Sequence, residues 1–435
     1  MASVIRGDWT HRRGDAGGTR AVPAEIDHPR PVLAWSWQPE HGGRVDQVRL
    51  TRTAVVVATM MPRDERAPGW EHAVLYVLDA ASGAEIARRV LPDPVPVAAM
   101  VLHDELLHVV ATRKGEPIFW YTLSAELESR DRRTVSISEQ MQHEDVLDAW
   151  ATPGGLWLEL EGTLDGVPGR ARAYAFADPS GVPMMPLASD GRGAADGLLE
   201  HDACAGGGAL FVPVSGGAGT GPEPAPAALA RLEPFSGGED GAAPWVRAQV
   251  SGPRAQIHAL YSEGLLCAVS TAEDPAKPER AHLEAFAVDC ATGAVRWRTQ
   301  DERVDVKPRL GDAARIARRP SGELLFQSLA ADGTPSSPLV CVRPDGRLDA
   351  LLLGARGPYV LDAALGDLVL GHRENKDGHV EVGGFAIDHE GRLLGRRAVA
   401  SWTIDAGSLG GGATVYAGAG AVVVRGESSV CAVRL

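Results

Sequence analysis

Cysteine is scarce in this chain of 435 residues. The five thiols, Cys204, Cys267, Cys290, Cys341 and Cys431, are odd in number and widely spaced, with no Cys-x-x-Cys and no vicinal pair. That excludes a disulfide framework and a compact thiolate metal site. Cys267, Cys341 and Cys431 lie inside apolar runs, where a free thiol behaves as a small hydrophobe, so buried thiols in a reducing compartment are expected. No window approaches the roughly 18 continuous apolar residues of a membrane helix. Basic residues are in deficit, 43 Lys and Arg against 57 Asp and Glu, for a formal net charge of −14. Such a balance repels phosphate backbones and anionic bilayers, so neither nucleic acid nor membrane is expected as a partner. Residues 1–30 carry Arg6, Arg12, Arg13 and Arg20 but no apolar segment, which does not read as a secretory signal; a cytoplasmic protein is expected.

Common catalytic signatures are missing as well. There is no Gly-x-Ser-x-Gly elbow, no phosphate loop closing in Gly-Lys-Ser/Thr and no His-Glu-x-x-His. The glycines of 216–221 lack the register of a dinucleotide loop and a following helix, so they read as part of a flexible Gly/Pro loop over 215–226. His372, His379 and His389 are close in sequence, yet their spacing fits no compact zinc pattern.

What the chain has in quantity is turns and short strands, with 51 Gly and 30 Pro. Residues 286–297 write one β-hairpin in twelve positions: the apolar strand Phe286-Ala287-Val288, an Asp289-Cys290-Ala291-Thr292-Gly293 turn, and a second strand ending in Trp297. Asp79 to Gly83 with its flanks is a second copy, and 385–394 a third with a shortened turn. Four-strand units follow one another along the chain, their third strands recurring at intervals of roughly 43 to 56 residues, the period of propeller blades. The pattern predicts an all-β, eight-bladed β-propeller of four-stranded antiparallel blades, or seven blades if the irregular fourth unit is an insertion. Predicted outer strands include 182–187 in the third unit and 393–399 in the seventh, and the fourth unit's inner strand is placed at 198–204.

The last unit stops one strand short, while 32–37 (Val-Leu-Ala-Trp-Ser-Trp) is a strand with no hairpin partner. The two needs match. Strand 32–37 is expected to complete the last blade, close the ring and bury Trp35 or Trp37 against the neighbouring blade. Residues 1–28, polar and without periodicity, read as a disordered arm whose removal leaves stability nearly unchanged; 29–435 then form one domain.

The Ala-x-Asp-x-x-Thr-Gly-x-x-x-Trp form of 287–297 closely resembles the repeat of the PQQ-type, or quinoprotein-like, β-propellers. The resemblance is motif-specific in the first, fifth and seventh units; in the first, Ala87 stands where the Trp would be. Its dehydrogenases carry PQQ and calcium, are exported, and in many members set a disulfide of adjacent cysteines against the cofactor, whereas other members are non-catalytic scaffolds. This chain has no Cys-Cys pair.

One constellation repeats in register with the blades. Asp46, Asp148, Asp202 and His258 fall near the start of an inner strand, and Asp362 fits with a shorter turn, while Ala99 and Ile316 hold that place in the second and sixth units. Two readings stay open: an acidic ring at the channel mouth, suited to a cation or a basic partner segment, or residues that each cap their own turn. The expected function is a monomeric, non-enzymatic protein-interaction scaffold without cofactor. The alternatives are a dehydrogenase using PQQ with a divalent cation, and a propeller hydrolase or lyase acting through carboxylates such as Asp148 and Asp202.

Overall fold

The computed structural model describes residues 4–5, 9–12, 14–15, 18–22, 24–25, 31–60, 72–137, 141–165, 170–179, 187–188, 203–214, 227–234, 244–252, 255–299 except 275 and 278–279, 302–304, 313–351 except 331–332, 353, 358–375, 379–388, 392–395, 398–405, 409, 412–418 and 420–434. Eight antiparallel sheets follow one another around an axis. The inner strands are Arg44–Leu50, Val97–His103, Met141–Thr152, Cys204–Gly206, Gln256–Ser262, Ala313–Arg318, Val360–Leu365 and Thr414–Gly418. Each blade then steps outward strand by strand, except the eighth, whose outermost strand comes from the other end of the chain.

That strand is Val32–Trp37, as the sequence predicts. It pairs antiparallel with Val430–Arg434, Val430 opposite Trp37 and Ala432 opposite Trp35, with a register shift between Ala432 and Val433. Both indoles reach into blade 1. Trp35 is 7% exposed and donates its Nε1 hydrogen to the Ala80 carbonyl at 2.9 Å, while Trp37 meets the Tyr76 ring edge-on at 4.9 Å between centroids.

The hairpin turn makes this docking possible. Asp79 accepts hydrogen bonds from Ala81 N, Ser82 N and Ser82 Oγ, and Gly83 at φ +71° lets the chain reverse. A Cβ on Gly83 would sit 2.7 Å from the Trp35 ring. Blade 5 repeats the turn: Asp289 receives Ala291 N, Thr292 N and Thr292 Oγ1, Gly293 has φ +72°, and Trp245 of blade 4 lies over it. Arg296 with the Thr292 donors holds the exposed Asp289 carboxyl down at about 2. A folded value below the unfolded one of about 3.9 contributes stability above that pH, lost as pH falls through about 2. A carbon-detected NMR titration is expected to place the Asp289 midpoint near 2 and to move it up in Arg296→Ala; an ordinary midpoint for the intact chain would refute the arrangement.

The hydrophobic core is divided among the blade interfaces. Separate buried clusters join blades 1 and 2 around Leu75 and Tyr121, 2 and 3 around Trp120 and Leu158, and 3 and 4 around Trp150 and Trp157. Others join 4 to 5 at Phe211 and Phe286, 5 to 6 at Leu283 and Phe326, and 6 to 7 at Cys341 and Phe385. The largest spans blades 7, 8 and 1 and includes Trp35. All five cysteines are buried, and none forms a disulfide.

Several boundaries differ from expectation. The outer strand of blade 7 is Ala400–Asp405, with Trp402 opposite Val382. Asp388 closes a tight turn onto Arg392, so Ile387 and Leu393 form an isolated bridge and the chain travels further before it pairs. In blade 3 the outer strand is Leu187–Ala188, and the inner strand of blade 4 begins only at Cys204. Residues 198–202 and the 215–226 loop lie outside the described residues.

The larger difference is at the N-terminus. Described residues between 9 and 22, expected to belong to a disordered arm, are fixed inside the ring. Trp9 is fully buried, and Ala21–Val22 adds a parallel strand to the inner edge of blade 7. The physical reason is that inner-strand edges carry N–H and C=O groups facing the channel, and this segment satisfies several of them.

Candidate functional site: the axial channel

The N-terminal segment crosses the channel from blades 1–3 to blades 6 and 7. Trp9 exchanges two backbone hydrogen bonds with Leu50 (3.0 and 2.9 Å), and Thr10 O accepts from Leu102 N at 2.9 Å. His11, fully buried, sets Nε2 2.8 Å from Ala149 O and 3.3 Å from Asp148 Oδ1 and stacks on Trp150. On the far side Thr19 O, Arg20 O and Val22 O accept from Arg318 N, Ala364 N and Gly366 N. These anchor points sit towards the ends of the inner strands, so the segment forms a plug across that end of the channel. Trp9 packs edge-on against Tyr416 of blade 8 at 5.8 Å.

Beside the plug lies a cavity of about 270 Å³. Arg12 and Arg20 reach it from the plug; Asp46, Gln47 and Arg49 from blade 1; Asp148 from blade 3; and Arg315 from blade 6. Blade 8 adds Tyr416 and Arg425. Among the described residues, five guanidinium groups and two carboxylates line this cavity, in a protein whose overall charge is strongly negative.

Arg49 is the most firmly held. It is 2% exposed and donates from Nε to Met100 O (2.6 Å), from Nη1 to Val48 O (2.7 Å) and from Nη2 to Gln47 Oε1 (3.0 Å). Burial pulls its pKa down to about 10; Tyr416 and Asp148 oppose this, and the cations Arg12 and Arg425 add to it. Arg425 donates Nη1 to the Asp46 carbonyl. The Nε atoms of Arg315 and Arg425 are both buried with no hydrogen-bond partner.

Of the residues singled out by register, Asp46 and Asp148 do meet at this cavity. Asp46 takes Arg44 Nε at 2.8 Å, and Asp148, 6% exposed, accepts the Ala149 N–H at 2.9 Å beside His11. His258 is buried against Phe326, and Asp362, also buried, is bonded to His372 Nδ1 at 2.8 Å; neither lines the cavity. Asp202 and His389 lie outside the described residues, so the Asp148–Asp202 carboxylate pair has no described geometry. Among the described residues, this cavity's lining holds more arginines than aspartates. Arginines on inner strands were the available signal: Arg49 and Arg315 interrupt apolar runs at positions that face the axis. Nothing local in the sequence marks Arg12 or Arg20.

No protein-family model matches this chain, and no curated protein matches it. Among solved structures, the quinohemoprotein alcohol dehydrogenase ADHIIG of Pseudomonas putida HK5 is similar over 99% of this chain and 80% of its own, at 10% identity and TM-score 0.50. The fold is that of the PQQ-type β-propellers. BamB from Moraxella catarrhalis also matches, over 93% of this chain and all of its own, at 11% identity and TM-score 0.45.

The lining of the cavity bears on PQQ with a divalent cation, the cofactor that the resemblance to quinoprotein propellers implies. Guanidinium groups suit the carboxylates of PQQ. The accompanying divalent cation needs several oxygen ligands, and among the described residues no group of three His, Cys, Asp or Glu side chains converges. Asp46 and Asp148 are already engaged by Arg44 and His11. The donor set does not fit the cation.

Proposed function

We propose that this chain is a non-catalytic cytoplasmic propeller that binds a protein partner on its channel face, taking an acidic segment of that partner rather than a basic one. The observation that carries this reading is the placement of Arg315. It lines the axial cavity and also a groove of about 730 Å³ between blades 6, 7 and 8, where Pro335, Pro358, His372 and Arg373 form the walls. A cationic pocket opening beside a groove of that size suits an extended chain with a carboxylate at one end better than a compact metabolite. Five buried thiols, none in a disulfide, are in keeping with a reducing compartment.

The test is affinity capture from the native cell with the tagged full chain, in parallel with an Arg315→Glu/Arg425→Glu double variant. A partner recovered by the natural chain and lost by the variant, with the melting temperature retained, is the expected result. Equal recovery by both would overturn the choice of face. The arginines also favour a second reading, PQQ binding without its usual cation, so PQQ titration with and without calcium should be followed by absorbance. No stoichiometric spectral change is expected; a calcium-independent one would establish this second reading, and a calcium-dependent one would restore the dehydrogenase reading.

A further inference from the structure

We infer that the axial cavity is a binding site for a compact oxyanion, a carboxylate or phosphate group, grasped by Arg315 and Arg425 with Arg49 as a fixed cationic wall. The inference deepens the proposed binding function by naming the chemistry the pocket accepts.

Three observations converge on it. First, guanidinium groups from three separate elements, blade 1, blade 6 and blade 8, with two more from the plug, line one cavity of about 270 Å³. Like charges gathered in a confined space repel one another, and a bound anion adds to the compensation from the two carboxylates described in the lining. Second, buried donors without partners cost free energy, and the Nε atoms of Arg315 and Arg425 are two such donors at this one site. An oxyanion between them accepts hydrogen bonds from both, in the bidentate geometry that suits carboxylate and phosphate alike. Third, Arg49 cannot swing away: its three nitrogens are committed to Met100 O, Val48 O and Gln47 Oε1, and Gln47 is itself braced on Ala98 O. It contributes fixed charge, whereas Arg315 and Arg425 have donor capacity left. At about 270 Å³ the cavity has room for a small anion or for the end of a partner segment bearing one or two anionic groups.

The same chemistry has two sources: a free small anion, or the carboxylate of a partner's acidic segment. Calorimetry on the full chain at constant ionic strength, with inorganic phosphate, citrate and a Glu-rich peptide titrated separately, tells them apart. Saturable binding of at least one of these probes, weakened about tenfold or more in Arg315→Gln and in Arg425→Gln, is the expected result. Arg315→Lys, which keeps the charge but loses the planar fork, should fall between the natural chain and Arg315→Gln, and melting curves check that each variant is folded. If phosphate or citrate binds in an Arg315-dependent way and the peptide does not, the oxyanion site stands and the acidic-segment reading falls. If the peptide binds equally to the natural chain and to folded Arg315→Gln, the partner reading stands and this site is refuted. No saturable binding by any probe, or binding unaltered in both folded variants, also overturns it.

Discussion

Replacing Trp35 with alanine is expected to lower the unfolding free energy by about 3–5 kcal/mol, the range for truncating a buried aromatic side chain. The indole is 7% exposed, belongs to the largest core cluster, and supplies the Nε1 hydrogen bond to Ala80 O that ties the closing strand to the hairpin turn of blade 1. Losing it leaves that contact unmade and loosens the one seam where the two ends of the ring meet. Trp37→Ala should cost less, because Trp37 is only partly buried and touches Tyr76 edge-on. Gly83→Ala tests the seam from the other side, since its Cβ would fall 2.7 Å from the Trp35 ring at a backbone angle, φ +71°, that favours glycine. Urea denaturation is the measurement. The midpoint should fall in the order Trp37→Ala, then Trp35→Ala, with Gly83→Ala also destabilised. Removing residues 1–38 should do more than any of these and expose the edge of Val430–Arg434 to aggregation. A Trp35→Ala midpoint equal to that of the natural chain would mean that the ring is not held shut here.

The ring was legible because its signals are local and repeat. Asp79 and Asp289 carry the same three-donor turn, and a reader who sees Asp-x-x-Ser/Thr-Gly between apolar runs sees the hairpin that the structure contains. The orphan strand 32–37 and the short last blade complete each other by simple accounting of unpaired edges. Blade 7 misled because Asp388 closes its turn without launching the outer strand, so apolar residues at 393–399 do not pair as their pattern implies. The site was less legible for a different reason. Register placed Asp46 and Asp148 at the mouth, but the sign of the cavity depends on arginines brought in from positions as distant as Arg12, Arg315 and Arg425, and no periodicity links them. The plug left no trace at all: its backbone bonds go one or two at a time to separate blades, too short a pairing in any one place to impose alternation.

Trp9→Ala, or removal of residues 1–28, should therefore destabilise the protein, against the expectation for a disordered arm. Trp9 is completely buried, lies edge-on to Tyr416 and joins the cluster that spans blades 7, 8 and 1, so its truncation alone should cost about 3–5 kcal/mol. The deletion carries a sharper signature than lost stability. In the full chain the N–H groups of Leu50, Leu102, Arg318, Ala364 and Gly366 donate to carbonyls of the plug; without it they face the open channel. Hydrogen exchange should be slow at these five amides in the natural chain and fast in the deletion, while amides bonded within the blades remain protected. Because Val32–Trp37 is retained in the 1–28 deletion, its ring stays closed and it should remain monomeric where the 1–38 deletion aggregates. Its affinity for oxyanions should also fall, since Arg12 and Arg20 leave with the plug and the cavity loses the wall they form. Equal exchange at the five amides in both chains, with an unchanged midpoint, would show that the segment does not occupy the channel in solution.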